Sequence, residues 1–79
     1  MEEIMTAKEM FEELGYIETI DSNEYEITYK HKAHFNEITF CLSGRKITCD
    51  NGNGKAIFIN EYELKAINKQ IEELGWNNE

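Results

Sequence analysis

The spacing of apolar residues changes twice along this 79-residue chain, and this change constrains the fold more than any other feature. Near each end, apolar side chains recur every three or four residues, as on one face of a helix. In the middle of the chain they alternate with polar ones, as in strands with one buried face. We therefore predict one α+β domain over residues 1–79, with an N-terminal helix, an antiparallel meander of four to five strands and a C-terminal helix.

The first helix is predicted over residues 7–14. Thr6 and Glu9 have the spacing of a capping box, in which each side chain accepts a hydrogen bond from the other residue's backbone amide. Gly15 follows the last apolar residue, and glycine readily takes the left-handed conformation that ends a helix.

The last helix is predicted over residues 61–74, with Asn60 as its cap and Glu63 as the capping-box partner. It ends at Gly75. Both helices finish on Glu-Glu-Leu-Gly followed by an aromatic residue. The sequences before the two endings do not match, so we interpret this pattern as one helix-stop signal used twice.

Alternation predicts strands at about residues 16–20, 24–30, 37–42, 46–50 and 56–59. The first of these has the weakest pattern, and the pattern does not decide which of its faces is buried. Both helices are expected to cover the single apolar face of the sheet, because only there can they bury their own apolar sides. The other face is left to solvent or to a partner.

The two cysteines are predicted to lie on opposite faces of the sheet. Leu42 and Ile47 must share the buried face across a tight turn, which places Cys49 inside and Cys41 outside. Residues on opposite faces cannot be bridged without distorting the backbone, so two free thiols are expected.

Net charge excludes several classes of function. The chain carries −8, and phosphate contacts need clustered lysine and arginine, so free nucleic acid is not an expected ligand. The charge is uneven, at −8 over residues 1–26, +3 over 27–58 and −3 over 59–79. No uncharged run is long enough to span a bilayer and the start, Met-Glu-Glu-Ile-Met, does not resemble a signal peptide, so we expect a cytoplasmic protein.

Seven glutamates are candidate partner-binding residues, because rows of carboxylates can imitate nucleic-acid phosphates. Two of them are expected on the open sheet face, about 6.8 Å apart along one strand. The alternative is a solvated surface that keeps a small protein in solution. The seven are Glu9, Glu12, Glu13, Glu24, Glu26, Glu72 and Glu73.

Residues that suggest chemistry are few. His31 and His34 have a His-x-x-His spacing that zinc ligands use, but no matched second pair accompanies them, so a zinc-supported module is an alternative rather than the prediction. Neither serine is paired with a histidine, and no carboxylate pair is expected in a pocket. We therefore predict a non-enzymatic protein without a cofactor.

Three aromatic residues lie where they can anchor a protein partner. Phe35 is in a predicted loop, Tyr62 lies off the apolar stripe of the last helix, and Trp76 is near the chain end. A second hypothesis is an adaptor that pairs through its open sheet face or an edge strand, as in a homodimer. That face is expected to be only mildly polar, with Thr28, Thr39, Cys41 and Thr48 on it.

The segments Thr6-Ala-Lys-Glu-Met-Phe-Glu-Glu-Leu-Gly-Tyr16 and Glu63-Leu-Lys-Ala-Ile-Asn-Lys-Gln-Ile-Glu-Glu-Leu-Gly-Trp76, with Ile38-Thr-Phe40 between them, frame the chain. Together they resemble short acidic proteins of Gram-positive bacteria, their phages and mobile elements. The resemblance implies a phage or prophage accessory protein that inhibits a nucleic-acid-handling host protein, as anti-CRISPR proteins do. It carries over no functional residue, because the shared motifs are caps, stops and strand alternation.

Overall fold

The computed structural model describes residues 5–20 and 22–76. The charged start at residues 1–4 and the end of the predicted domain at 77–79 lie outside these ranges. The elements follow in the order α1 (Ala7–Glu13), β1 (Tyr16–Glu18), β2 (Glu26–His31), β3 (Glu37–Cys41), β4 (Lys46–Asp50) and α2 (Glu61–Leu74).

The four strands form one antiparallel sheet in the order β1-β2-β3-β4, so each strand pairs with the next along the chain. This confirms the predicted helix–meander–helix fold. Within the described residues neither helix is long and apolar enough to cross a membrane.

Both helices begin as the capping residues predict. Thr6 Oγ1 accepts from the Glu9 amide at 3.1 Å, and Glu9 Oε1 accepts from the Thr6 amide at 2.9 Å. At the start of α2, Asn60 and Glu63 form the equivalent pair, with both bonds at 2.8 Å. These bonds satisfy amides that have no partner inside the helix.

The core lies between the sheet and the two helices, which both cover the same face. Phe11 of α1 stacks on Tyr29 of β2 with ring centroids 4.1 Å apart. Ala66 and Ile67 bring α2 into the same cluster. The buried members of this cluster are Phe11, Tyr16, Tyr29, Ile38, Phe40, Ala66 and Ile67.

Strand β2 is shorter than predicted at its start. Asn23 Oδ1 accepts from the backbone amides of Tyr25 and Glu26, at 2.7 and 3.2 Å, which holds the chain in a turn up to Glu26, the first residue of the strand. As a result Tyr25, placed by alternation on the buried face, is 64 % exposed.

The predicted strand at 56–59 does not form. Ala56 makes an isolated bridge to Asp50, and the Ile57 amide donates to Cys49 O at 3.2 Å. The chain then leaves the edge of β4 to reach the cap of α2, and Phe58 is fully exposed. A run of four apolar residues has no polar–apolar alternation that would fix it against the sheet.

The cysteines lie as predicted. Cys49 pairs with Ile38 on the helix-covered face, whereas Cys41 pairs with Lys46 on the open face, and both thiols are free. Burial raises the pKa of the Cys49 thiol. A hydrogen bond with the Ser43 hydroxyl, at 3.7 Å, lowers the pKa of the Cys41 thiol.

Candidate functional site

The candidate glutamates of the two helices are all exposed, but some of them also hold the fold together. Glu9 belongs to the capping box of α1. Glu73 reaches from α2 to the start of α1, where its Oε2 accepts from the Ala7 amide at 2.8 Å. Glu72 forms an ion pair with Lys69 at 3.0 Å. Three of the seven predicted site residues therefore have structural partners.

Carboxylates of three different elements lie around the junction of the helices and the first strand. Glu18 of β1 stands opposite Tyr29 in the sheet, and Glu73 of α2 accepts from the amide of Ala7, the first residue of α1. The charge of Glu12 on α1 acts on the Tyr29 hydroxyl together with theirs. Burial raises the pKa of Tyr29 most, and the negative charges of these three glutamates raise it further. We call Glu12, Glu18 and Glu73 the acidic surface.

Glu18 was not among the candidates from sequence. The first strand alternates too weakly to show which of its faces is buried, and only its pairing settles the question. Glu18 stands opposite Tyr29, so its side chain leaves the sheet on the same side as the helices. At the edge of the sheet it is still exposed to solvent there.

Glu24 and Glu26 lie elsewhere. Glu24 is in the turn before β2, not in the strand as predicted. Glu26 stands opposite Cys41 on the open face, while its neighbour Ile27 stands opposite Phe40 on the helix-covered face. The expected pair of carboxylates along one strand is therefore not formed, and the seven glutamates do not make one continuous surface.

The two histidines stack on each other, with ring centroids 3.6 Å apart and an angle of 11° between the planes. His31 Nδ1 accepts from the Ala33 amide at 3.0 Å, so Nε2 carries the hydrogen and donates to Leu14 O at 3.0 Å. Both nitrogens of His31 are thus used by the fold. Among residues 5–20 and 22–76, no group of three or more histidine, cysteine or acidic side chains is arranged to hold a metal ion.

The most buried carboxylate among residues 5–20 and 22–76 also serves the fold. Glu63 is 9 % exposed, and its Oε2 accepts from the Tyr16 hydroxyl at 2.7 Å while Oε1 accepts from the Asn60 amide. Burial raises the pKa of Tyr16, and the hydrogen bond to Glu63 raises it further. The pair links β1 to α2 inside the core and is not presented to a substrate.

A cleft of about 490 Å³ opens at the end of the sheet where β2 turns into β3. The loop after β4 forms its opposite wall, because the pairing of Glu37 with Asp50 brings the two loops side by side. The lining side chains and backbone are those of Lys30, His31, Lys32, Ala33, His34, Phe35, Asn36, Glu37, Asn51, Gly52 and Asn53.

The exposed aromatic residues are only partly those expected. Phe35 is 80 % exposed, and Tyr62 is also exposed, as predicted. Trp76 is half-buried, because its ring packs against Phe40 with centroids 6.4 Å apart. Phe58 was assigned to a strand but is fully exposed beside the start of α2.

The open face of the sheet is mildly polar. Thr28, Thr39 and Thr48 stand in register across three strands, and the hydroxyls of the first two lie 3.2 Å apart. Lys30 and Glu37 stand opposite each other on the same face. This face therefore has hydroxyl groups that partly satisfy one another, not a dense row of charge.

Comparison with models of protein families, with curated protein sequences and with solved structures finds no match for this chain. A functional proposal therefore rests on the geometry of its own residues.

Proposed function

We propose that the chain is a non-enzymatic, cytoplasmic binding protein that inhibits a nucleic-acid-handling protein by covering its basic cleft. The acidic surface of Glu12, Glu18 and Glu73 is the contact. This is the role of phage and prophage inhibitors of host enzymes, and a CRISPR effector is one target of that kind. The proposed partner is a protein, not nucleic acid itself.

The placement of these carboxylates is the observation that supports the proposal. Glu18 stands opposite Tyr29 on the side of the sheet that the helices cover, and Glu73 reaches the start of α1. Together with Glu12, their charges act on the Tyr29 hydroxyl. Like charges brought together by a fold repel each other, so such a grouping costs stability unless a cationic partner neutralises it. Among the described residues, the ion pair that forms joins Lys69 and Glu72, and none neutralises Glu12 or Glu18. The carboxylates of Glu12 and Glu18 are therefore available to an external cation, while Glu73 also accepts from the Ala7 amide.

The mechanism is steric and electrostatic. Exposed carboxylates on the helices and the first strand present negative charge to lysine and arginine side chains that otherwise bind phosphates. Because the contact is between exposed charges, its strength falls as salt screens them. The domain then occupies the channel and excludes the nucleic acid.

A pair of charge-matched variants tests the proposal. The tagged full chain is used as bait in a Gram-positive lysate, and each captured protein is purified and tested for nucleic-acid binding by fluorescence anisotropy with and without the chain. We expect the wild type to displace nucleic acid and the double variant Glu12→Lys/Glu18→Lys to lose displacement. Within residues 5–20 and 22–76 neither side chain forms a hydrogen bond or an ion pair, so the fold should persist.

The control is Glu24→Lys/Glu26→Lys, which changes the net charge equally but lies away from the acidic surface. It should still displace nucleic acid. Equal loss in both double variants would show that net charge alone matters, and unchanged displacement by the first would eliminate the acidic surface as the contact.

A second candidate is an adaptor that pairs with another copy of itself. Apolar side chains lie exposed between the end of β4 and the first turns of α2, namely Phe58, Ile59, Tyr62 and Leu64. Exposed apolar side chains that are close together mark interaction surfaces. A monomeric mass across the micromolar range, measured by light scattering, would eliminate this candidate, whereas a dimer broken by Phe58→Ser would support it.

A further inference from the structure

We propose that the cleft between the β2–β3 loop and the loop after β4 binds a small anion that carries a planar ring. This site is separate from the acidic surface and does not depend on the function proposed for it. Its volume, about 490 Å³, falls within the range that small-molecule sites occupy.

The two walls of the cleft lie close together where Gly52 faces Glu37 and Phe35. Gly52 has a φ of +85°, a left-handed conformation that residues with a side chain rarely adopt, so the course of the second wall depends on this glycine. A side-chain carbon built there would lie 2.9 Å from Glu37 Oε2, at the end of a flexible side chain, and 3.6 Å from Phe35 O, an ordinary contact. The backbone conformation at Gly52 thus sets the position of the second wall, and the Glu37 carboxylate lies against it.

Local hydrogen bonds hold both loops in place. In the first wall, the Ala33 and Asn36 amides donate to the Nδ1 atoms of His31 and His34, at 3.0 and 3.4 Å. In the second wall, Asn51 Oδ1 accepts from the Asn53 amide at 2.9 Å. A cleft whose walls are already ordered loses little conformational entropy when a ligand enters.

The charge of the cleft favours an anion, in contrast to the rest of the chain. Lys30 and Lys32 both line it, and within the described residues neither forms an ion pair. Glu37, the one acidic lining residue, packs against the loop at Gly52. The ammonium groups are therefore available to a phosphate or carboxylate, which they bind through charge-assisted hydrogen bonds.

Flat rings in the same cleft favour a planar ligand. His31 covers one face of the His34 imidazole, and His34 itself is exposed. Phe35, the next residue, is 80 % exposed although it is aromatic. Ring faces of this kind stack on heteroaromatic or aromatic ligands. A lysine pair beside two ring faces matches an anionic group joined to a ring.

Binding is tested by titrating the isotopically labelled full chain and following its backbone amides by NMR. The probes are AMP and benzoate, which pair a ring with a phosphate or a carboxylate, and adenosine and inorganic phosphate, which supply one feature each. We expect AMP or benzoate to shift residues 30–37 and 51–53 saturably, at least about tenfold more tightly than either single-feature probe. Whichever of the two binds shows which combination of ring and anionic group the cleft accepts.

Matched substitutions distinguish binding in this cleft from nonspecific binding to lysine and aromatic side chains elsewhere on the surface. Lys32→Ala and Phe35→Ala should each weaken binding about tenfold. Lys65→Ala and Tyr62→Ala likewise remove a lysine and an aromatic ring, here on α2, where the lysine lies 5.6 Å from the ring centroid. They should leave binding unchanged.

Three results would overturn the proposal. They are no saturable shift with AMP or benzoate at millimolar concentration, shifts that map outside the cleft, and equal affinity for inorganic phosphate and AMP. The acidic surface plays no part in this titration, so either proposal can fail without the other.

Discussion

The two helices end on nearly the same five residues, at 12–16 and 72–76, yet the endings have different surroundings. Both glycines take the left-handed conformation, with φ of +96° at Gly15 and +75° at Gly75. A side-chain carbon at Gly15 would lie 2.6 Å from His31 Nε2, whereas one at Gly75 would meet nothing within 4 Å. The same helix-stop sequence is therefore packed against other residues at Gly15 and exposed to open space at Gly75.

The aromatic residue after each glycine differs in the same way. Tyr16 is fully buried and donates to Glu63, and it starts the first strand. Trp76 is half-buried, and its amide donates to Ile71 O at 3.1 Å, which completes a Schellman-type ending. Five residues thus suffice to stop a helix, while the elements packed around them decide how much stability a substitution removes.

The largest expected difference is between the two glycines. Gly15→Ala should cost about 3 kcal/mol or more, because left-handed strain adds to a clash with a ring held by hydrogen bonds at both nitrogens. Gly75→Ala should cost about 1–2 kcal/mol from strain alone. Urea unfolding followed by circular dichroism measures both.

A double-mutant cycle sharpens this difference. In a His31→Ala background the clash is absent, so Gly15→Ala should cost about as much as Gly75→Ala. A Gly15→Ala cost unchanged by the loss of the ring would show that backbone strain explains all of it.

The next largest expected difference in stability is between substitutions of Tyr16 and Trp76, the aromatic residues after the two glycines. Tyr16→Phe removes the hydroxyl that donates to the buried Glu63 carboxylate, which should cost about 1–3 kcal/mol. Trp76→Phe keeps a ring against Phe40 and should cost less than about 1.5 kcal/mol. Equal losses of unfolding free energy in urea would remove the contrast between the buried and half-buried endings.

Alkaline pH should lower stability through Tyr16 of the first ending and through Tyr29 of β2. Burial raises the pKa of Tyr16 and Tyr29 well above their ordinary value of about 10, so the folded state holds these protons more tightly than the unfolded state. Stability is therefore full below pH 10 and falls above it, by about 1 kcal/mol per tyrosine between pH 10 and 11. Urea unfolding at pH 8, 10 and 11 measures the fall, and Tyr16→Phe should reduce it by about half.

The smallest expected difference concerns the glutamates before the two glycines. Glu73→Gln removes a carboxylate that accepts from the Ala7 amide at the positive end of α1, which should cost about 0.3–1 kcal/mol. The equivalent Glu13→Gln on α1 should change stability by less than about 0.5 kcal/mol. A larger loss for Glu13→Gln would contradict this assignment of roles. Thermal melts at low salt have the sensitivity for this comparison.

The sequence was sufficient to predict those features of the structure that depend on local interactions. The caps at Thr6 and Asn60 and the stops at Gly15 and Gly75 form as predicted, because each depends on residues within one helical turn. The placement of the cysteines was also predictable, since alternation across one turn fixes their faces.

The candidate site was predictable only in part, because it depends on residues distant in sequence. Glu18 joins Glu12 and Glu73 through the pairing of β1 with β2, which the weak alternation of β1 does not specify. The cleft likewise exists because β3 pairs with β4 and brings the loops after β2 and β4 together.

By itself, the amino-acid sequence determined where the helices start and stop, which face of the central strands is buried, and that the chain carries net negative charge. The tertiary structure alone decided which carboxylates meet, which glycine is enclosed and where a cleft opens. The physical reason is range: caps and alternation act between neighbouring residues, whereas the charge grouping and the cleft arise only when strand pairing brings distant segments together.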